Sequence, residues 1–142
     1  MFSEKILEDM LFEALINKDL TFLDERGLSN LPPYTHIERQ LPFGAYGIPD
    51  MVSVIAQTDE AYMATVFELK VTPFCASHLT QLKRYITGID EFYRKSPNIE
   101  FIAINGILIC AEGDIKGDDV FLLNFLGHNI QVYTYSFDLK LG

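Results

Sequence analysis

Apolar residues near the start of the chain recur with a helical period: Leu7, Leu11, Ala14 and Leu15 share one face, and Ile6 and Met10 widen it. This predicts a helix over 3–17, with Ser3 as N-cap and acidic residues in its first turn. A second helical period through Leu79, Leu82, Ile86, Ile89 and Phe92 predicts a long helix from Ser77 to about Lys95. Between them the pattern changes. Residues 48–56 and 62–71 are richer in β-branched and aromatic side chains and flank the polar Gln57-Thr58-Asp59-Glu60, which predicts a hairpin of two strands. Thr35–Leu41 reads as a short strand, and Ile99–Ala111, apolar on both faces, as a strand buried inside a sheet. Asp118–Leu126 reads as a second inner helix ended by Gly127, and Ile130–Phe137 as a last strand. No repeat interrupts this order, and the longest turn-like stretch is Gly27–Tyr34, with Pro32 and Pro33. The succession α-β-β-β-α-β-α-β, with strands apolar on both faces, predicts an α/β protein whose sheet lies between helices.

Composition narrows the class. The chain has 142 residues, of which 49% are hydrophobic and 22% charged, so one packed domain over 1–142 is expected rather than a disordered chain. The longest uncharged apolar run, Phe101–Ala111, is too short to span a bilayer, and Glu4, Glu8 and Asp9 stand where a secretory leader carries basic residues. A soluble, cytoplasmic protein without membrane association is expected. Cys75 and Cys110 read as buried free thiols, and the isolation of His36, His78 and His128 from one another argues against a structural zinc site. The net charge of −9 argues against nonspecific, charge-driven binding of nucleic acid and leaves that role to local basic patches.

The hairpin brings the chemistry together. A turn centred on Asp59 sets Met51 opposite Phe67, Val52 opposite Val66, Ser53 opposite Thr65, Val54 opposite Ala64 and Ile55 opposite Met63. Like meets like in most of these pairs, as register selection requires. One step further, Asp50 faces Glu68 on the same side of the sheet, with Cβ atoms ~4.5–5.5 Å apart. Lys70 follows two residues after Glu68 and points the same way. Two carboxylates this close repel unless a cation lies between them, and burial raises the cost. A hard divalent ion relieves that repulsion; Mg²⁺ takes oxygen ligands, commonly one or two carboxylates with waters and substrate phosphate. An amine beside it can orient or deprotonate the attacking water and stabilise charge developing on a phosphate. The same spacing also describes an ion-pair network that merely ties the hairpin, and a one-residue slip of register would turn Asp50 to the other face.

Ile48-Pro49-Asp50, followed downstream by Glu68-Leu69-Lys70, resembles the signature of the PD-(D/E)xK nuclease superfamily. Gln81-Leu82-Lys83-Arg84-Tyr85 resembles the Q-x-x-x-Y element of its RecB-type branch, and Gly47 fits the G-x-x-D form of that branch. The match runs from Ser3 to Phe137, and the order of elements is similar to the superfamily's αβββαβ core. The resemblance implies a restriction-endonuclease-like fold, a central mixed sheet flanked by helices. It implies that Asp50 and Glu68 ligate Mg²⁺ or Mn²⁺ with the backbone carbonyl of Leu69, and that Lys70 is the catalytic lysine. It places Gln81 and Tyr85 at the border of the active site, Gln81 within reach of the lysine, the water or the nucleic acid. The family often adds a glutamate from the first helix; Glu8 fits that role, with Glu4 and Glu13 as rivals. Read by spacing alone, Gln81 and Tyr85 also suit a helix face that packs on the sheet.

Four basic residues, Lys83, Arg84, Arg94 and Lys95, fall on the long predicted helix, where 83 nearly eclipses 94 and 84 nearly eclipses 95. With Tyr85 and Tyr93 nearby they form either a stripe along which a phosphate backbone can lie or a solvated face balanced by Asp90 and Glu91. His78, one turn before Gln81, reads as a packing or surface residue. The expectation that follows is a nuclease that hydrolyses DNA with Mg or Mn as cofactor. The rival is an inactive protein of the same fold that binds a partner protein or serves as an accessory subunit. A homodimer or a basic partner protein would supply the groove that so negative a chain lacks.

Overall fold

Ser3 caps the first helix as its sequence predicts: its hydroxyl accepts from the Ile6 N–H (3.2 Å), and α1 spans Glu4–Ile16. The computed structural model describes residues 3–58, 61–94, 100–123, 126–127 and 129–136; the side chains of 92–94 and 100–102 lie outside that description. A short α2 (Leu20–Glu25) follows, capped by Asp19, whose side chain accepts from the Phe22 N–H (3.1 Å). Then come β1 (His36–Arg39), a 3-10 turn (Gly44–Tyr46), β2 (Met51–Ala56) and β3 (Ala61–Leu69). The chain continues through α3 (Ala76–Arg94), β4 (Glu100–Ala111), α4 (Gly117–Leu123) and β5 (Ile130–Tyr135).

The five strands form one mixed sheet in the order β1-β2-β3-β4-β5. The first three are antiparallel, and β3, β4 and β5 run parallel. The hairpin register is the predicted one, from Met51 opposite Phe67 to Ile55 opposite Met63. Its turn residues, Asp59 and Glu60, lie outside the described residues. Strand alternation divides the core in two. Phe67, Leu69, Ile107 and Ile109 pack with Leu7, Leu11 and Leu15 of α1 on one face. Val66, Leu108 and Cys110 pack with Leu82, Tyr85 and Ile89 of α3 on the other. A sheet buried on both faces is what the apolar run of β4 requires. The fold is therefore α/β, with helices on both sides of a mixed sheet. Among the described residues, no helix is long and apolar enough to cross a membrane.

Three expectations need correction. The helix predicted over Asp118–Leu126, of which 124–125 lie outside the described residues, is not an inner one: α4 has no buried residue, and Val120, Phe121 and Leu122 are exposed. A run of consecutive apolar residues carries no helical period, so its direction of burial was not encoded in spacing. Cys110 is buried, but Cys75 is only half-buried and shares a hydrogen bond with Ser77 Oγ (3.0 Å); both thiols are free. Third, α2 has no counterpart in the expected order, because six residues with a single buried side chain, Leu23, show no periodicity.

Candidate active site

Six successive residues of β3, Ala64–Leu69, are buried, and they carry Glu68 inside with them. Alternation puts Glu68 on the side of Val66, toward α3. Its Oε1 lies 3.4 Å from Lys70 Nζ. Its Oε2 is buried and has no hydrogen-bond partner among the described residues. Burial, then the charge of Asp50, pushes the Glu68 carboxyl up to about 7 against the opposing pull of Lys70. Asp50 stands one residue before β2, at the position into which the ladder runs on. Its Oδ2 accepts from the Leu69 N–H (2.8 Å) at the end of β3. Burial raises the Asp50 carboxyl as well; the Leu69 hydrogen bond opposes this, and Glu8 and Glu4 add to it. The hairpin thus gathers two acids that burial and mutual repulsion both discourage from ionising.

Lys70 follows the last residue of β3, and its N–H donates to the Ile109 carbonyl (2.9 Å). Burial works against its charge, but Glu68 and Glu4 outweigh that and hold the ammonium above the usual lysine range. At neutral pH it is a cation, which suits stabilisation of negative charge better than proton abstraction.

The first helix contributes two carboxylates of different kinds. Glu4 Oε1 is 3.8 Å from Lys70 Nζ and remains half exposed. Glu8, the residue favoured by the resemblance, is buried and already engaged: Arg39 donates to its Oε2 through Nε (3.1 Å) and a second nitrogen, and Gln40 Nε2 donates to its Oε1. Gln40 holds a left-handed backbone (φ 51) while its N–H donates to the Asp50 carbonyl (3.2 Å). The Arg39–Gln40 corner therefore ties α1 to the residue that carries the site. Nothing in the sequence marked Arg39 or Gln40, because no spacing rule links the end of a strand with a helix some thirty residues earlier. Removing the guanidinium leaves the buried carboxylate to Gln40 and the exposed ammonium of Lys5 (3.4 Å). Arg39→Ala is expected to cost about 3 kcal/mol by urea denaturation, and adding Glu8→Gln should recover most of it.

On α3, Gln81 Nε2 donates to Tyr85 Oη (2.6 Å), and the Tyr85 hydroxyl donates to the Ile48 carbonyl (3.2 Å). Tyr85 is buried, at 6% exposure. Lys83 is exposed, as is Arg84, whose guanidinium donates to the Ala45 carbonyl (2.9 Å). Lys95 and the Arg94 side chain lie outside the described residues, so half of the predicted basic stripe is not placed. His78 is buried with Nδ1 3.8 Å from Cys110 Sγ; burial, then Lys70, lowers its pKa. Burial pushes the Cys110 thiol up to about 12, so it is inert as a nucleophile.

Among the described residues, no group of three or more His, Cys, Asp or Glu side chains is disposed to hold a metal ion. The donor set at the hairpin is the pair Asp50 and Glu68, with the Leu69 carbonyl between Glu68 and Lys70 in sequence. It fits a hard ion that keeps most of its waters, since Mg²⁺ needs only one or two carboxylates from the protein. The unpartnered Glu68 Oε2 is the feature a cation would satisfy.

No family model matches the chain, and no curated protein matches it in sequence. Among solved structures, the crystal structure of a repair endonuclease from Pyrococcus abyssi is similar, with 19% identity and a TM-score of 0.53. The superposition covers 94% of this chain and 48% of that one, so the chain spans about half the length of the endonuclease. At this identity the likeness is one of fold: the mixed sheet between helices is shared.

Proposed function

We propose that the protein is a metal-dependent nuclease that hydrolyses phosphodiester bonds, DNA being its first substrate, at the Asp50–Glu68–Lys70 site. The observation that carries this reading is the buried Glu68 Oε2, which has no hydrogen-bond partner among the described residues and stands beside a second carboxylate. A purely structural ion-pair network would satisfy that oxygen, because an unpaired buried charge costs several kcal/mol. Asp50 and Glu68 would hold Mg²⁺ or Mn²⁺, with the Leu69 carbonyl as a third ligand. The ion supplies Lewis acidity for attack of water on phosphorus. The Leu69 N–H keeps Asp50 in place, and the Lys70 ammonium offsets negative charge that builds on the phosphate. The likeness in fold to a repair endonuclease supports the same reading.

The net charge of −9 favours a second reading, an accessory subunit that leaves nucleic-acid binding to a basic partner. Incubation with single- and double-stranded DNA and Mn²⁺ separates the two. The nuclease reading expects cleavage that stops on chelation and is absent in Asp50→Ala. Absence of cleavage in the wild type, or cleavage that persists in Asp50→Ala, would overturn it.

A further inference from the structure

Residues 43–50 deliver Asp50 to the site, and one face of α3 grips that segment at successive points. Arg84 donates to the Ala45 carbonyl (2.9 Å). Tyr46 lies over Gly88, where a Cβ would come within 2.6 Å of the Tyr46 Cβ, and its hydroxyl donates to Glu91. The Tyr85 hydroxyl donates to the Ile48 carbonyl (3.2 Å) while it accepts from Gln81 (2.6 Å). Gly47, at φ 100, lets the segment pass this close: a Cβ there would lie 3.1 Å from Tyr85 Cε1.

The grip on Ile48 bears directly on Asp50. The Ile48–Pro49 peptide is planar, and the proline ring fixes the next torsion, so an anchored Ile48 carbonyl orients Pro49 as one piece. Pro49 is itself fully buried. Few torsions then remain between the anchored carbonyl and the Asp50 carboxylate.

We propose that Gln81 and Tyr85 are positioning residues: by holding the Ile48 carbonyl they fix the Asp50 carboxylate on the Leu69 N–H, beside Glu68. The Tyr85 hydroxyl, buried and spent on the backbone, does not serve nucleic acid. The metal-binding part of this inference rests on the nuclease reading; the positioning part does not. Two measurements keep them apart.

Amide hydrogen exchange at Leu69 reports the Asp50 contact without metal or substrate, and Mn²⁺ calorimetry reports its consequence. In Tyr85→Phe, which keeps the ring and loses the hydroxyl, Leu69 exchange should quicken about tenfold while Ile107, in the neighbouring strand, keeps its wild-type rate. Mn²⁺ affinity should weaken about tenfold, the lower end of what lost support of a metal ligand costs. Gln81→Leu, which leaves the Tyr85–Ile48 bond in place, should move both readouts in the same direction by less. Unchanged Leu69 exchange in Tyr85→Phe would overturn the proposal, and so would equal acceleration at Leu69 and Ile107, the mark of a general loss of stability. Selective loosening at Leu69 in a protein whose wild type binds no Mn²⁺ would uphold the positioning and sink the metal reading.

Discussion

Glu68→Gln is expected to raise the melting temperature of the metal-free protein at pH 8 by about 3–10 °C and to abolish its response to Mg²⁺ and Mn²⁺. The Glu68 carboxyl is pushed up to about 7 in the fold, against 4.5 for the free group. Between those values the folded state keeps a proton that the unfolded state has released, so stability falls as pH rises through this window and stays reduced above it. The whole of that shift corresponds to roughly 3 kcal/mol, and Asp50, raised by burial and by the charges of Glu8 and Glu4, acts in the same direction. A neutral amide escapes the penalty but gives up the contact with Lys70, so the net gain should be about 1–3 kcal/mol. At pH 4.5 the gain should vanish, because Glu68 is then protonated in the fold. Scanning calorimetry at the two pH values checks this; a Gln variant less stable than the wild type at pH 8 would mean that Glu68 is content where it sits. Added Mg²⁺ should stabilise the wild type more at pH 8 than at pH 5, since a ligand carboxylate must first lose its proton.

Lys70→Met is expected to lower single-turnover cleavage by about 10²–10³-fold, the usual loss when a group that stabilises transition-state charge is removed. Its ammonium is held in the charged form by Glu68 and Glu4, and it sits 3.4 Å from Glu68 Oε1, competing for the carboxylate whose other oxygen, Oε2, a metal would approach. Removing it should therefore leave Mn²⁺ binding as tight as in the wild type, or tighter, while the rate collapses. Calorimetry and rapid-quench kinetics on the same preparation separate the two effects. If metal affinity falls and the rate per bound metal does not, Lys70 supports the ligands rather than the reaction.

The hairpin was readable because β2 and β3 match residue for residue in size and polarity, so a single register satisfies most pairs and carries Asp50 toward Glu68. The long helix was readable for a similar reason: Leu79, Leu82 and Ile89 are buried at the predicted spacing. What escaped lies in tertiary contacts without a local signature. The engagement of Glu8 by Arg39 and Gln40 depends on where β1 ends against α1, and the left-handed Gln40 is a conformation its residue type does not advertise. Tyr85 illustrates the same limit. The resemblance placed it at the border of the site, yet only the fold shows its hydroxyl turned to the backbone of the segment that bears Asp50. The exposed side of α4 was unreadable because Val120-Phe121-Leu122-Leu123 has no polar face to contrast with.

Anomalous diffraction from a crystal soaked in Mn²⁺ at pH 8 tests the proposed shared cation most directly. A peak about 2.1 Å from an oxygen of both Asp50 and Glu68, the latter through Oε2, is the expected result. An empty hairpin, with Lys70 alone beside the carboxylates, would contradict it.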